Sequence, residues 1–274
     1  MAIALDASDE RILSQDRLSG DTRTNVIDRW IYVFTAASLI AVVFAGFLPD
    51  SFAKVAAVEA GKRPPFPLIL HVHAVLMGSF LLLLLAQTVL VATGRLGGHM
   101  QLGIAAMVLA PAIVISGLIL VPTMYHLAWN AALAAPIAMK EPFLDRLHAI
   151  DNVMLRQFSA GILFTVFMAI ALRARTRDSG LHKRMIFLSI TAVLGAAITR
   201  IHWLPTTMPN SSLSLDIFVL LTFSPMFLWD LIRNRGLHRA YFIWASIYFP
   251  VMATVHTLWD TPWWHATARH IMGV

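Results

Sequence analysis

Residues 67–93 read PLILHVHAVLMGSFLLLLLAQTVLVAT, without one Asp, Glu, Lys or Arg. As a helix rising ~1.5 Å per residue, such a stretch is about 40 Å long, more than the ~30 Å hydrocarbon core of a bilayer. Its only strongly polar side chains are His71, His73 and Gln87. On either side of it, six more segments are long and mostly apolar: 30–48, 102–122, 149–172, 185–204, 214–232 and 240–258. The reading is an all-α, polytopic membrane protein. One seven-helix domain covers 29–260, between a polar tail over 1–28 and a short tail over 261–274. The first tail carries Asp6, Asp9, Glu10, Arg11, Asp16 and Arg17 and no apolar run, so it reads as a soluble tail and not as a cleaved signal peptide.

Composition excludes an ordinary soluble domain. Of 274 residues 58% are hydrophobic and 13% charged, with mean hydropathy +0.71, whereas soluble chains carry roughly 25% charged residues. Cysteine is absent, which removes disulfides, cysteine-ligated iron–sulfur clusters, covalently attached haem and thiol nucleophiles. The net charge of +6 is accounted for by topology and is not read as nucleic-acid binding. With the N-terminus inside, the cytoplasmic set is Arg11, Arg17, Arg23, Arg29, Arg95, Arg173, Arg175, Arg177, Lys183, Arg184, Arg233, Arg235 and Arg239. The other face has Lys54, Lys62, Arg63, Lys140, Arg146 and Arg269. The excess in short loops predicts N-in, C-out, in a bacterial inner membrane. The longest outer connection, 123–148, contains Trp129, Pro136, Lys140, Glu141 and Pro142 and is expected to hold a short interfacial helix. Trp259, Trp263 and Trp264 read as an aromatic belt.

Ionisable residues at membrane depth are costly and are functional candidates. Residues 18 apart share a helix face, because five turns of 3.6 residues separate them. His182 and Arg200 are so related, as are His238 and His256; His73 with Gln87, and Asp216 with Asp230, are 14 apart and nearly so. This predicts a shared polar interior, with Asp216 or Asp151 paired to Arg200 or Arg156. His73 and Arg200 are expected inside, His71 and His202 at the interface. Gly103, Ala106, Ala110 and Gly117 form a small-residue stripe on the third span, suited to close packing or to a flat cofactor. Three strings recur at span ends, Gly97-Gly98-His99, Gly180-Leu181-His182 and Gly236-Leu237-His238, suggesting hairpins built alike.

Along spans two to five the histidines alternate sides: His73 outer, His99 inner, His148 outer, His182 inner. A b-type haem takes two axial ligands from different helices at one depth, so His99 with His182, and His73 with His148, are candidate haem pairs. Arg200 is expected to neutralise propionates or an anionic donor, and Gln87 to donate a hydrogen bond at the midplane. The function expected is electron transfer across or within the membrane, with a redox partner or a larger complex. A rival constellation is His99, His182, His238 and Asp230 as a Zn²⁺ or non-haem iron site. The third possibility is a cofactor-free transporter or accessory subunit. His71, His126, His202, His256, His265 and His270 receive no cofactor role. The seventh span has no lysine for a retinal Schiff base, and no P-loop or dinucleotide fingerprint occurs.

The strings HVHAVLMGSF, GGHMQLG, LHAIDN and GLHKRM resemble the di-haem b-type transmembrane cytochromes, the ferric-reductase-like group, over about residues 67–200. A wider pattern comprises His73, Gln87, Gly94-Arg95, His99, Gly103, His182-Lys183-Arg184-Met185, Arg200, Asp230, His238, Thr261 and Trp264. It resembles a family of uncharacterised bacterial polytopic membrane proteins with an HKRLM-like string. That resemblance spans most of the chain and implies no activity. It lacks His148 and includes Asp230 and His238.

Overall fold

A computed structural model describes residues 26–135 and 140–274, with the side chains of 140–144 excepted. The tail over 1–25, Pro136, and the side chains of Lys140, Glu141 and Pro142 therefore lie outside the described residues. Among those described, seven helices are long and apolar enough to cross a membrane, and no strand occurs. They are α1 Val26–Glu59, α2 Leu68–Ala92, α3 Leu96–Leu133 and α4 Lys140–Ala174, then a fifth crossing made of α5 Ser179–Ile190 and α6 Gly195–Ile198, then α7 Leu213–Asn234 and α8 Arg239–Leu258. A final helix, α9, covers Pro262–Met272. We call the face where α1 begins the near face and the opposite one the far face.

Neighbours in sequence are mostly neighbours in space. α1 packs on α2, α2 on α3, α3 on α4 and α4 on α5; α8 then fits against α4 and α5, and α1 closes on α6 and α7. Lipid tails are as apolar as Leu, so spans associate through close packing and interhelical hydrogen bonds rather than the hydrophobic effect. Gly46 illustrates the packing: a Cβ there would overlap the carbonyl of Ala197, so only glycine lets α1 reach α6. The small-residue stripe of α3 works similarly. Cβ atoms built at Gly103 and Gly117 would meet Gln87 Nε2 at 3.4 Å and His73 Cε1 at 3.5 Å, so the stripe accommodates the polar side chains of α2.

Four sequence expectations change. The first tail is shorter than 1–28, because α1 begins at Val26 and Asp28 is buried within it. In the long connection, 136–139, where a further helix was expected to fit, lie outside the described residues, while 123–133 and 140–148 belong to α3 and α4, which extend to 38 and 35 residues. At ~1.5 Å per residue these exceed 50 Å, so both project beyond a bilayer. The third change concerns the belt. Trp259 and Trp264 are buried, their indole N–H groups donating to the carbonyls of Pro209 (3.0 Å) and Asp151 (2.8 Å), and only Trp263 is exposed. Finally, the fifth crossing is not one regular helix. Thr191, Ala192 and Val193 donate to residues three back, a tighter winding of about 120° per residue. Three such residues rotate the downstream turn by roughly 60°, so the 18-residue rule does not hold between His182 and Arg200.

The three Gly-containing strings are likewise not equivalent. His99 and His182 each sit fourth in a helix, with backbone N–H bonded to the carbonyl of the N-cap residue, Arg95 (3.1 Å) and Asp178 (2.9 Å). His238 is itself an N-cap: its Nδ1 accepts from Ala240 N–H at 3.1 Å.

Candidate cofactor site and buried ion pairs

His99 and His182 both lie toward the near face. Both are half-buried in the first turns of α3 and α5, close enough for their charges to interact, with Arg175 also in range of His182. The ring of His182 is fixed: Nδ1 lies 2.8 Å from the carbonyl of Ala171 on α4. A carbonyl only accepts, so Nδ1 carries the proton and Nε2 keeps its lone pair. His99 Nδ1 is buried and makes no hydrogen bond among the described residues, and the same holds for Gln87 Oε1. Arg175 crosses from the α4–α5 connection to α3, placing Nη1 2.7 Å from Met107 Sδ.

His73 and His148 are not matched in height. Phe80 of α2 and Phe164 of α4 are in edge contact at 5.7 Å between centroids. His73 lies seven residues farward of Phe80 and His148 sixteen farward of Phe164. At ~1.5 Å per residue the two differ by about 13 Å along the bundle, too much for one iron. His73 Nδ1 instead meets Ser116 Oγ at 2.8 Å. His148 is exposed and stacks on His265 of α9, 4.5 Å between ring centroids.

The four residues of the rival metal site are not assembled either. Asp230 is committed to Arg184, whose Nε and Nη2 donate to its two oxygens at 2.5 and 2.7 Å, both side chains at most 1% exposed. Asn234 also donates to Asp230, and His238 is occupied in its cap. Among the described residues no group of three or more His, Asp or Glu is arranged to hold a metal ion.

Of the expected ion pairs, Arg156–Asp216 forms at 2.5 Å. Asp216 also accepts from Tyr248 O–H at 3.1 Å and lies 2.8 Å from His256 Nε2. Arg200 pairs elsewhere, with Asp50 of α1 (3.2 Å), and stacks over Phe47. A third cluster holds α9 to the far ends of α3 and α4. Buried Asp151 accepts from Tyr125 O–H at 2.7 Å and meets His265 Nδ1 at 2.9 Å, while His265 Nε2 faces Asp260 at 3.2 Å. At the near face, Asp28 takes Arg233 and the indole N–H of Trp229.

Sequence reasoning placed Arg184 in a cytoplasmic loop and gave Asp28, Asp50, Tyr125 and Asp260 no role. One signal was present: an acid at interior helix positions needs a cation, and Asp230 had none assigned. His73 and Arg200 are half-buried while His71 and His202 are exposed. Comparison with protein-family models, with curated proteins and with solved structures gives no match.

Proposed function

We propose that the protein is a membrane-embedded b-type haem protein, of a bacterial inner membrane with the near face cytoplasmic, that carries electrons within or across the bilayer. A single haem is held between His99 and His182. The observation that carries this reading is the fixed ring of His182, with Nδ1–H spent on the Ala171 carbonyl and Nε2 making no hydrogen bond among the described residues. That arrangement orients a metal-binding imidazole and raises its basicity. His99 supports it as a second imidazole from a different helix in the equivalent first turn. Haem held by two imidazoles exchanges single electrons without opening a coordination position.

The propionate partner changes with the site. Arg200 stands 18 residues from His182, roughly 27 Å away along a helix, and is engaged by Asp50. Arg175, beside His182, takes that role. Gln87 serves this reading near His99, not at the midplane. The pair His73 and His148 is not carried forward.

An optical spectrum tests the proposal. Protein purified in mild detergent should show a Soret band and, after dithionite, a sharp α band. His99→Ala and His182→Ala should each lose most of the haem, whereas His73→Ala and His148→Ala should retain it. Colourless wild-type protein, expressed with haem precursor supplied, would overturn the reading.

A further inference from the structure

Two adjoining cavities on the far half of the molecule share four wall residues and differ in polarity. The larger, about 460 Å³, is a groove open to the surrounding lipid, walled by Ala41 and Ala45 of α1, Trp203, and Leu221 of α7. It shares Ile198, Ile201, Leu204 and Phe218 with a narrower pocket of about 130 Å³, whose polar lining is Thr199, His202, Thr206 and Ser214. Two local features border these cavities. Positions 41 and 45 of α1 are alanine, and the chain leaves helical winding after Ile198, so that loop residues 199–206 and the first turns of α7 wall the polar part.

The polar end has a definite chemical preference. Among the described residues no charged side chain lines either cavity. Arg200, the nearest cation in sequence, turns onto Asp50 and Phe47, neither of which borders the groove. A phosphate headgroup therefore lacks a counter-ion here. The donors that remain are the ring of His202, which makes no hydrogen bond among the described residues, and the Thr206 hydroxyl, whose oxygen already accepts from Met208 N–H at 3.0 Å. Thr199 spends its proton on the Ala196 carbonyl, and Ser214 exchanges bonds with Thr207. The complementary ligand is neutral, offers acceptors at a compact head, and carries an apolar tail.

We propose that this adjoining groove and pocket together bind an isoprenoid quinone, its ring carbonyls accepting from His202 and Thr206 and its tail lying between α1 and α7. The inference does not rest on the haem reading: Ile198 is 16 residues beyond His182, roughly 24 Å along the helix axis, so occupancy is measured independently of His99 and His182.

Trp203, 78% exposed on the groove wall, supplies the probe. Protein in phosphatidylcholine nanodiscs is titrated with decyl-ubiquinone while tryptophan emission is followed. Saturable quenching is expected, with most of its amplitude lost in Trp203→Phe. The lipid-facing pair Ala41→Leu/Ala45→Leu, which fills the groove without touching the core, should weaken binding at least tenfold, and His202→Ala about tenfold. His182→Ala protein should bind as wild type does. Quenching that rises linearly with quinone in the membrane, or that the filling variants leave unchanged, would overturn the proposal. So would displacement of the quinone by anionic phospholipid at equal concentration.

Discussion

Arg184 is the largest fully buried side chain among the described residues, and its position follows from charge more than from size. A guanidinium in a low-dielectric interior persists only where its donors are met. Nε and Nη2 go to Asp230 and Nη1 to the carbonyl of Gly180 at 3.0 Å. The planar fork matches the carboxylate, which lysine would not. Asp230→Asn or Arg184→Met, by leaving one partner alone, should each lower stability by about 3–5 kcal/mol. The double change Arg184→Met/Asp230→Leu should recover most of that loss in thermal unfolding in detergent. A double variant no more stable than the singles would assign the residues another role. Arg184 was misplaced at sequence level because LHKRM reads as a basic loop. Only three-dimensional proximity to α7 separates Arg184 from its neighbour Lys183.

Helix starts and crossings explain which elements carry the site. α5 begins at Ser179 because Asp178 caps it, Oδ1 accepting from Leu181 N–H at 2.8 Å while the carboxylate also takes Arg239. Burial pushes the Asp178 carboxyl up, yet the bonds from Leu181 and Arg239 outweigh it and hold the group below its usual 3.8. Its folded-state pKa being depressed, its stabilising contribution is present above about pH 4 and is lost as pH falls through the lower folded value. Asp178→Asn should remove that part of the acid dependence, measured as unfolding midpoint against pH from 3 to 6; an unchanged profile would contradict the cap. Between elements, Gly46 fixes the approach of α1 to α6. Gly46→Val should cost about 1–3 kcal/mol by overpacking, against little effect from Gly78→Ala, where the structure leaves open space. Equal unfolding midpoints for the two would refute the close contact.

Across the molecule, the hydropathy of each span made the bundle legible, and all seven crossings predicted from the sequence have helices that match them. Helical periodicity also identified the inward faces of α2, α7 and α8, where His73, Asp216, Asp230 and His256 all find polar partners. Partner identity was less legible. Spacing gives the angle of a residue on its own helix and leaves the relative heights of two helices undetermined. His148 was thus matched with His73 although α4 projects far beyond the bilayer. The folded tail was missed for a related reason: α9 is held by His265 on Asp151 and Trp264 on its carbonyl, 114 and 113 residues distant, and nothing local announces such contacts. Orientation is testable because the chain has no cysteine. Single cysteines at Thr176 and Thr267 in intact cells should react with a membrane-impermeant maleimide only at position 267. Labelling at 176 alone would reverse the N-in assignment.

Convergence of His99 and His182 on one iron is the premise on which the proposed electron transfer depends. Electron paramagnetic resonance of the oxidised protein reads that ligation from the metal itself. A low-spin ferric signal of two-imidazole ligation is expected, converted to high spin in whatever haem His182→Ala retains and restored by added imidazole. A low-spin signal unchanged in both His99→Ala and His182→Ala would rule the pairing out.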